Sequence, residues 1–277
     1  MTISVSTIRR YYDQNTSLFL NFSSNKHAQN IHRSLWMDGI TSMEDALNAS
    51  NTLILDEIEA AFPRNAKIAD LGCGVGASLF YIYSRLRSIH PGFGLTLSPV
   101  QARLAKRKIT NRHIFFTEAD FSYVPLANES LDVVYSIEAI AHAVDLELYF
   151  REAGRLLHQG GRLILIDDCK TPKNLSKNEA TWLQAFIDGW YVPGVRTSEE
   201  YIAIAGKYGL SPVKNLSLTP FLKLRNLPNL LAGIFLAIGK ALPFDHAIIP
   251  SMIGSMALQQ CLHMGIIDYR FLVFEKQ

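Results

Sequence analysis

The chain has 277 residues, of which 48% are hydrophobic, so it can form a large domain with a substantial core and is not disordered over most of its length. It contains 27 Lys and Arg against 25 Asp and Glu, and only 19% of its residues are charged, which argues against a nucleic-acid-binding protein. The three cysteines form no Cys-x-x-Cys pair, which argues against a disulfide framework or a zinc site and indicates a reducing compartment.

No segment has the length and apolarity of a secretory signal or of a bilayer-spanning helix. The most hydrophobic stretch, residues 229–239, is too short to cross a membrane and predicts a buried, capping or at most interfacial helix. We therefore expect a soluble, cytoplasmic protein without stable membrane insertion. Whether it forms a homodimer stays open.

The first elements in chain order are helical. Residues 1–41 are polar and aromatic, without a strand pattern, and predict a helical arm. Residues 42–62 predict a long amphipathic helix, in which Ser42 and Asp45 are spaced as a capping box.

Short apolar or β-branched runs then alternate with helical periods. Ser98 and Pro99 predict the start of one helix, Asp145 the start of another, and Gly160–Gly161 a turn after it. Strands alternating with helices imply parallel strands joined by right-handed crossovers, so we predict a doubly wound, Rossmann-like α/β fold with a seven-stranded sheet. The predicted strands are 66–71, 92–97, 113–120, 131–137, 161–167, 211–219 and 266–276.

The insertion before the last strand is longer than an ordinary connection. Together with the arm, it predicts a lid over the active site. The expected organisation is a helical arm (1–41), a core (42–219) with a helical substrate wall (171–209), a helical cap (220–265) and the final core strand (266–277).

The segment from Asp70 to Gly76 predicts a ligand-binding turn, because its glycines allow a tight bend and a close approach of the backbone to a ligand. A single residue separates the second and third glycines, unlike the dinucleotide fingerprint, and Asp70 is an acceptor poorly suited to a pyrophosphate. The pattern favours a nucleotide-like ligand without a diphosphate. The alternative is a turn that serves packing alone.

This turn, followed by GLTLSPVQ at residues 94–101, resembles the class I S-adenosylmethionine-dependent methyltransferases, and most closely their tocopherol, sterol and cyclopropane-fatty-acid branch. The resemblance covers roughly residues 45–170 and implies that the chain is a methyltransferase with S-adenosylmethionine as its cofactor. The cofactor-binding residues that it implies are Tyr11, Asp70, Gly72, Cys73, Gly74, Gly76, Thr96, Leu97, Gln101, Asp120, Phe121 and Ile137.

Three of these assignments leave alternatives open. Thr96 and Gln101 would contact the ribose, where many class I enzymes carry an acidic residue. Asp120 would accept the adenine amino group, or else form a turn or helix cap. Tyr11, in a Tyr-Tyr-Asp segment like that of the cyclopropane-synthase relatives, would close the cofactor site with its neighbour Tyr12, or else only pack the arm.

Residues 136–143 resemble the Glu-Ala-x-x-His-Ala stretch of sterol methyltransferases. Glu138 leaves a buried strand into a cleft of low polarity, so we expect its pKa to be raised and expect it to accept a proton. His142 could act similarly near neutral pH. Alternatively, Glu138 only borders the cofactor and His142 is a structural histidine.

Three further groups carry weaker signals. The helical stripe Trp182, Phe186 and Trp190 is either core or part of the substrate wall. The basic residues between 103 and 112 predict a solvated face. Asp167 and Asp168 could hold Mg²⁺, but no third oxygen ligand is evident, so we predict no metal.

The sequence therefore predicts metal-free methyl transfer to a small, largely apolar metabolite, such as an isoprenoid or a natural-product scaffold. Carbon is the favoured acceptor, because Glu138 suits the cation that methylation of an alkene leaves behind. O- or N-methylation of a small natural product is the alternative. A catalytically inactive cofactor-binding subunit is the alternative from another class.

Overall fold

The computed structural model describes residues 3–22, 32–62, 66–86, 90–224 and 248–277. Half of the predicted cap, including residues 229–239, lies outside the described residues. Among the described residues, none of the helices combines the length and apolarity needed to cross a bilayer.

The predicted seven-stranded sheet is confirmed. The strands are β1 (Ile68–Leu71), β2 (Gly92–Thr96), β3 (Ile114–Glu118), β4 (Leu131–Ile137), β5 (Leu157–Lys170), β6 (Leu210–Ser217) and β7 (Ile267–Lys276). They are arranged in the order β3-β2-β1-β4-β5-β7-β6. The first five strands pair in parallel, and β7 pairs antiparallel with both β5 and β6.

Helices cover both faces of the sheet, as a doubly wound fold requires. They are α1 (Val5–Phe22), α2 (Met43–Ala61), α3 (Ala77–Arg85), α4 (Pro99–Arg107), α5 (Leu146–Leu156), α6 (Lys177–Trp190), α7 (Ser198–Gly206) and α8 (Ile248–His263). Apolar side chains of α2 and α3 pack on one face, and those of α5 and α7 pack on the other. A separate apolar cluster joins α6 to α8 beyond the sheet.

Local sequence signals explain where these helices begin. The Ser98 hydroxyl accepts from the Gln101 amide and Pro99 occupies the first turn of α4, while the Asp145 carboxylate caps α5. Ser42 caps α2 as predicted, but the Asp45 carboxylate accepts the Ser42 hydroxyl instead of its backbone N–H, so the predicted capping box is incomplete.

Strand β5 begins four residues earlier than predicted. Leu157 ends α5 and already pairs with Leu131 of β4, and the register shifts before Arg162 pairs with Val133. Gly160, with φ of 79°, therefore lies within a strand irregularity instead of a turn that precedes the strand.

Candidate active site

The glycine-rich turn follows the carboxyl end of β1 and is tied to the neighbouring strand. Gly72 and Gly74 have φ of 101° and 53°, a region that favours glycine. The backbone N–H groups of Gly72 and Cys73 both donate to the Leu95 carbonyl, at 2.9 and 2.8 Å. The turn is therefore held against β2 by main-chain hydrogen bonds.

The two glycines differ in the space around them. A Cβ atom on Gly72 would lie 2.4 Å from the Cβ of Ala139, whereas a Cβ on Gly74 would meet no atom within 4 Å. Gly72 is thus required by close packing against the residues after β4. Gly74 leaves open room beside the backbone, where a ligand can approach closely.

A cavity of about 280 Å³ lies in front of this turn. Its walls come from the turn, the exits of β2 and β4, the N-terminal arm and the helices α6 and α8. The residues singled out from the sequence that line it are Tyr11, Gly72, Cys73, Gly74, Thr96, Leu97, Gln101, Phe121, Ile137, Glu138 and His142.

Three residues assigned to the cofactor are not among the lining residues: Asp70, Gly76 and Asp120. Asp70 is buried and hydrogen-bonded by Tyr135, and burial raises its pKa to about 7. Gly76 begins α3. The Asp120 carboxylate accepts the Ser122 amide at 2.8 Å, as in a turn, so its contact with adenine stays a prediction.

The exit of β2 forms a polar corner of the cavity. The Thr96 hydroxyl donates to Oε1 of Gln101 at 2.7 Å, and the side-chain amide nitrogen of Gln101 has no hydrogen-bond partner among the described residues. Ser98 next to them donates to Asp13 of α1 at 2.5 Å. This corner therefore offers a hydrogen-bond donor to a ligand, and Ser98 connects it to the N-terminal arm.

Both arm tyrosines line the cavity, but their hydroxyl groups differ. The Tyr11 hydroxyl is hydrogen-bonded to Ser251 of α8 at 3.0 Å, and burial raises its pKa to about 12. The Tyr12 hydroxyl instead meets Nε2 of His142 at 2.7 Å. Tyr12 is therefore the arm tyrosine whose hydroxyl contacts a candidate catalytic group.

His142 is a neutral histidine with a defined tautomer. Its Nδ1 lies 3.0 Å from the Tyr191 carbonyl oxygen, an acceptor, so Nδ1 carries the hydrogen and Nε2 accepts from Tyr12. Burial is the main cause that lowers its pKa, to about 4.

The expectation of a raised pKa at Glu138 is wrong. Although burial opposes ionisation, the Arg33 guanidinium, together with His32 and a hydrogen bond from Tyr269, lowers the pKa of Glu138 below its usual value. Oε1 of Glu138 accepts from the backbone N–H of Arg33 at 3.0 Å, its Nε at 3.2 Å and the Tyr269 hydroxyl at 2.8 Å. Glu138 is thus an ionised carboxylate with little tendency to take up a proton.

The two aspartates near the carboxyl end of β5 are hydrogen-bonded within the protein. Both oxygens of Asp168 accept from Arg33, at 2.8 and 2.9 Å. Asp167 accepts the backbone N–H groups of Ala141 and Asp168. Among the residues that the structure describes, no group of three or more His, Cys, Asp or Glu side chains is arranged to hold a metal ion.

The aromatic stripe of α6 divides between core and cavity. Trp182 and Phe186 are buried in the cluster with α8, whereas Trp190 lines the cavity. Its indole N–H donates to the Ser251 carbonyl and to the Ser255 hydroxyl.

Sequence reasoning missed Arg33 and Tyr269. Both hold Glu138, from positions 105 and 131 residues away in the chain. Neither belongs to a recognisable motif. Only the three-dimensional arrangement identifies them.

Comparisons with known proteins show which families and folds the chain is similar to. Residues 69–165 match the model of a methyltransferase domain. The chain is 29% identical over 217 residues to the chloroplastic tocopherol O-methyltransferase of Arabidopsis thaliana, covering 74% of this chain and 57% of that protein. It is 28% identical over 189 residues to the 27-O-demethylrifamycin SV methyltransferase of Amycolatopsis mediterranei, covering 66% and 67%. The chain spans about half the length of the tocopherol methyltransferases that it matches.

Solved structures of similar fold cover nearly the whole chain. A cyclopropane synthase of Mycobacterium tuberculosis superposes with a TM-score of 0.76 at 21% identity, over 100% of this chain and 99% of that one. The geranyl diphosphate C-methyltransferase of Streptomyces coelicolor superposes with a TM-score of 0.72 at 19% identity, over 99% and 97%. These likenesses confirm the predicted fold. Residues 69–165 are therefore a methyltransferase domain of the class I, S-adenosylmethionine-dependent type, as their sequence motifs predict.

Proposed function

We propose that this chain transfers a methyl group from S-adenosylmethionine to carbon in a small, largely apolar metabolite, such as an isoprenoid or a natural-product scaffold. One observation carries the proposal: the open glycine turn and both candidate proton acceptors, Glu138 and His142, line the same cavity. A ligand held at the turn and a substrate beside these two side chains would therefore meet in one enclosed space.

The residues of the cavity fit the cofactor. The space beside Gly74 accommodates a close ligand, and Gln101 offers an amide donor that no described residue pairs with. Phe121 supplies an apolar ring, and the ionised Glu138 offers a negative charge. When bound, S-adenosylmethionine supplies an electrophilic methyl group on a positively charged sulfur. We assign the turn to its amino-acid end, Thr96 and Gln101 to its ribose and Phe121 to its adenine.

The basicity of the cavity favours carbon over a phenolic oxygen. A general base is most effective when its pKa lies near the working pH, and both candidates lie well below neutrality. Such weak bases are poorly matched to a phenol, whose pKa is about 10. They suffice for a carbocation, which loses a proton readily. We assign that proton first to Nε2 of His142, which the Tyr12 side chain would uncover by moving away from it, and second to Glu138.

Calorimetry with S-adenosylhomocysteine tests the cofactor, and absence of binding at submillimolar ligand would refute the proposal. Incubation with [methyl-¹³C]-labelled cofactor and a panel of prenyl and polyketide acceptors tests the reaction. The ¹³C chemical shift of the product shows whether the new methyl group is bound to carbon. A methyl group bound only to oxygen or nitrogen would refute the assignment to carbon.

O- or N-methylation is the second candidate. Two relatives are named as a tocopherol O-methyltransferase and a phosphoethanolamine N-methyltransferase, and Nε2 of His142 could also accept a hydroxyl or ammonium proton. A catalytically inactive partner subunit is the third. For that candidate, the protein should bind the cofactor but form no labelled product when it is incubated with labelled cofactor and an extract of the producing organism.

We further propose that the protein works in the cytoplasm without a nucleic-acid partner. A homodimer is left as an alternative to a monomer, and light scattering after size-exclusion chromatography distinguishes them.

A further inference from the structure

Arg33, in the arm segment after α1, connects three strands at the edge of the cavity. Its guanidinium forms a two-pronged ion pair with Asp168 of β5 at 2.8 and 2.9 Å. It also donates from Nε to Glu138, which follows β4, and lies over the ring of Tyr269 in β7 at 3.9 Å. The Arg33 side chain is only 15% exposed, so its charge is largely withdrawn from water.

The Glu138 carboxylate is held on one side only. Oε1 accepts three hydrogen bonds, two from Arg33 and one from Tyr269. Oε2 accepts none from the described residues, although Glu138 lines the cavity. The backbone of Glu138 has φ of 51°, an uncommon value for a residue with a side chain. The uncommon backbone conformation and the three hydrogen bonds to Oε1 together fix the carboxylate in one orientation.

Glu138 and the charged groups around it carry a net negative charge. Two carboxylates, Glu138 and Asp168, share the single guanidinium of Arg33; burial raises the pKa of Asp168, and its two-pronged ion pair with Arg33 opposes that rise. Asp167 faces the same group, but burial and the neighbouring Asp168 raise its pKa to about 7, so it adds at most part of a charge near neutrality. The other titratable groups that interact with Glu138 are His32, Tyr12, His142 and Tyr269.

We propose that Arg33 is a positioning residue of the active site, which holds the Glu138 carboxylate with Oε2 turned to the cavity, toward the positive charge of the cofactor and of the transition state. The proposal rests on the proposed function, because it takes the cavity as the site of methyl transfer. Arg33 keeps Glu138 ionised at the pH of the cell, since a guanidinium beside a carboxylate favours its charged form. The arm would thereby contribute to catalysis in addition to forming part of the cavity wall.

A purely structural role for Arg33 would be to attach the arm to the sheet. The two roles differ in what happens to Glu138 when the arm stays attached. The variant Arg33→Met with Asp168→Asn removes the Arg33–Asp168 ion pair without leaving Asp168 as an unpaired buried charge, so Glu138 is the carboxylate that loses its guanidinium while the arm is expected to stay in place. Arg9→Met is the matched control, because it removes an arm arginine whose partner, Glu118, is exposed and outside the cavity.

The first measurement is the ionisation of Glu138 in the free protein. Difference infrared spectroscopy during a pH titration, with ¹³C-labelled glutamate, detects the carboxylate, and its absence in Glu138→Gln assigns the signal. We expect the midpoint to rise by about 1–3 pH units in Arg33→Met and in the double variant, by less in Arg33→Lys, and not in Arg9→Met. An unchanged midpoint in the double variant would overturn the proposal.

The second measurement is the preference for a positively charged ligand. Calorimetry gives the affinity ratio of S-adenosylmethionine to the uncharged S-adenosylhomocysteine. We expect this ratio to fall about tenfold in Glu138→Gln, and equally in the double variant below its new midpoint, with recovery above that midpoint. A ratio that Glu138→Gln leaves unchanged would overturn the proposal. If the wild-type protein binds neither ligand, the proposed function fails, and the infrared titration alone decides the role of Arg33.

Discussion

The two sides of the cavity are constructed differently. On the turn side, the backbone itself forms the surface: glycines with positive φ and N–H groups bonded to the Leu95 carbonyl, all contributed by residues close together in the chain. On the β4 side, side chains form the surface. Glu138 and His142 are held there by Arg33, Tyr269 and Tyr12, from 105 to 131 residues away.

Because of this difference, the two sides of the cavity should respond differently to amino-acid substitution. A surface made of backbone tolerates few additional atoms, because a new Cβ changes both the permitted φ and the available space. A surface made of side chains tolerates changes of shape better than changes of charge or hydrogen-bonding capacity. We therefore expect substitutions on the turn side to alter ligand binding, and substitutions on the β4 side to alter turnover and pH dependence.

The largest effect on ligand binding is expected for Gly72→Ala. The new Cβ would lie 2.4 Å from Ala139, with φ of 101°. Backbone strain of about 1–3 kcal/mol and overpacking of about 1–3 kcal/mol predict a weakening of S-adenosylhomocysteine binding by roughly 30-fold or more, with a lower melting temperature. Calorimetry and thermal unfolding measure the two effects.

Gly39→Ala is the control for backbone strain, because Gly39 also has positive φ, at 82°, with open space around its Cβ, but lies outside the cavity. It should lower stability without changing affinity. Gly74→Ala should weaken binding with little effect on packing. Equal affinity in Gly72→Ala and the wild type would contradict the view that close backbone packing forms the turn side.

On the β4 side, His142→Asn should lower kcat by about 100-fold, the low end for loss of a general base. Cofactor affinity should stay within about threefold, because the ring contacts Tyr12 and the Tyr191 carbonyl and not the turn. Since the neutral ring is the active form and its pKa is about 4, wild-type kcat should fall only below about pH 4. Near-normal turnover in His142→Asn would assign the proton to another group, and Tyr12→Phe tests the hydroxyl separately.

The sequence predicted the turn side better than the β4 side for a physical reason. Strand ends, capping residues and glycine turns are local features, so their spacing reveals them, as Ser98 before Pro99 shows at the start of α4. The pKa of Glu138 depends on Arg33, which is remote in the chain and carries no motif. Burial alone predicted a raised pKa, and an unforeseen ion pair reversed its direction.

The fold shows the same limit. Apolar runs identified all seven strands, but the start of β5 was misplaced because pairing of Leu157 with Leu131 extends the strand across Gly160. A turn was one of the roles that the sequence predicted for Asp120, and its carboxylate does accept the Ser122 amide. Phe121 lines the cavity, and only the structure shows that Ala119 lines it too and that Asp120 does not.

The two buried aspartates with pKa values of about 7 provide a comparison of stability across the cavity. Each binds a proton in the folded state that it loses in the unfolded state between about pH 4 and 7, so its contribution to the free energy of unfolding falls with rising pH there, by about 1.4 kcal/mol per pH unit. Asp70→Asn should remove its share of this slope at little cost, because the amide oxygen can still accept from Tyr135.

Asp167→Asn should remove a similar slope, but it should also lower the free energy of unfolding by about 1 kcal/mol. The two oxygens of the Asp167 carboxylate each accept a backbone N–H, whereas an amide offers only one acceptor oxygen. Urea unfolding at half-unit pH intervals measures both slopes. A wild-type slope that neither Asn variant changes would show that the two carboxyl groups are ionised in the folded protein.

The smallest effect is expected at the cap of α4, where the turn side meets the arm. Ser98→Ala removes the acceptor for the Gln101 amide and the donor to Asp13, and should lower stability by about 1 kcal/mol. Ser176→Ala removes a similar cap from α6, at an exposed position, and should have a comparable effect on stability. Only Ser98→Ala should also weaken S-adenosylhomocysteine binding, by a few fold, since Gln101 lines the cavity. Equal ligand affinities in the two variants would show that the arm and the β2 exit are energetically independent, and would confine the arm's contribution to the β4 side.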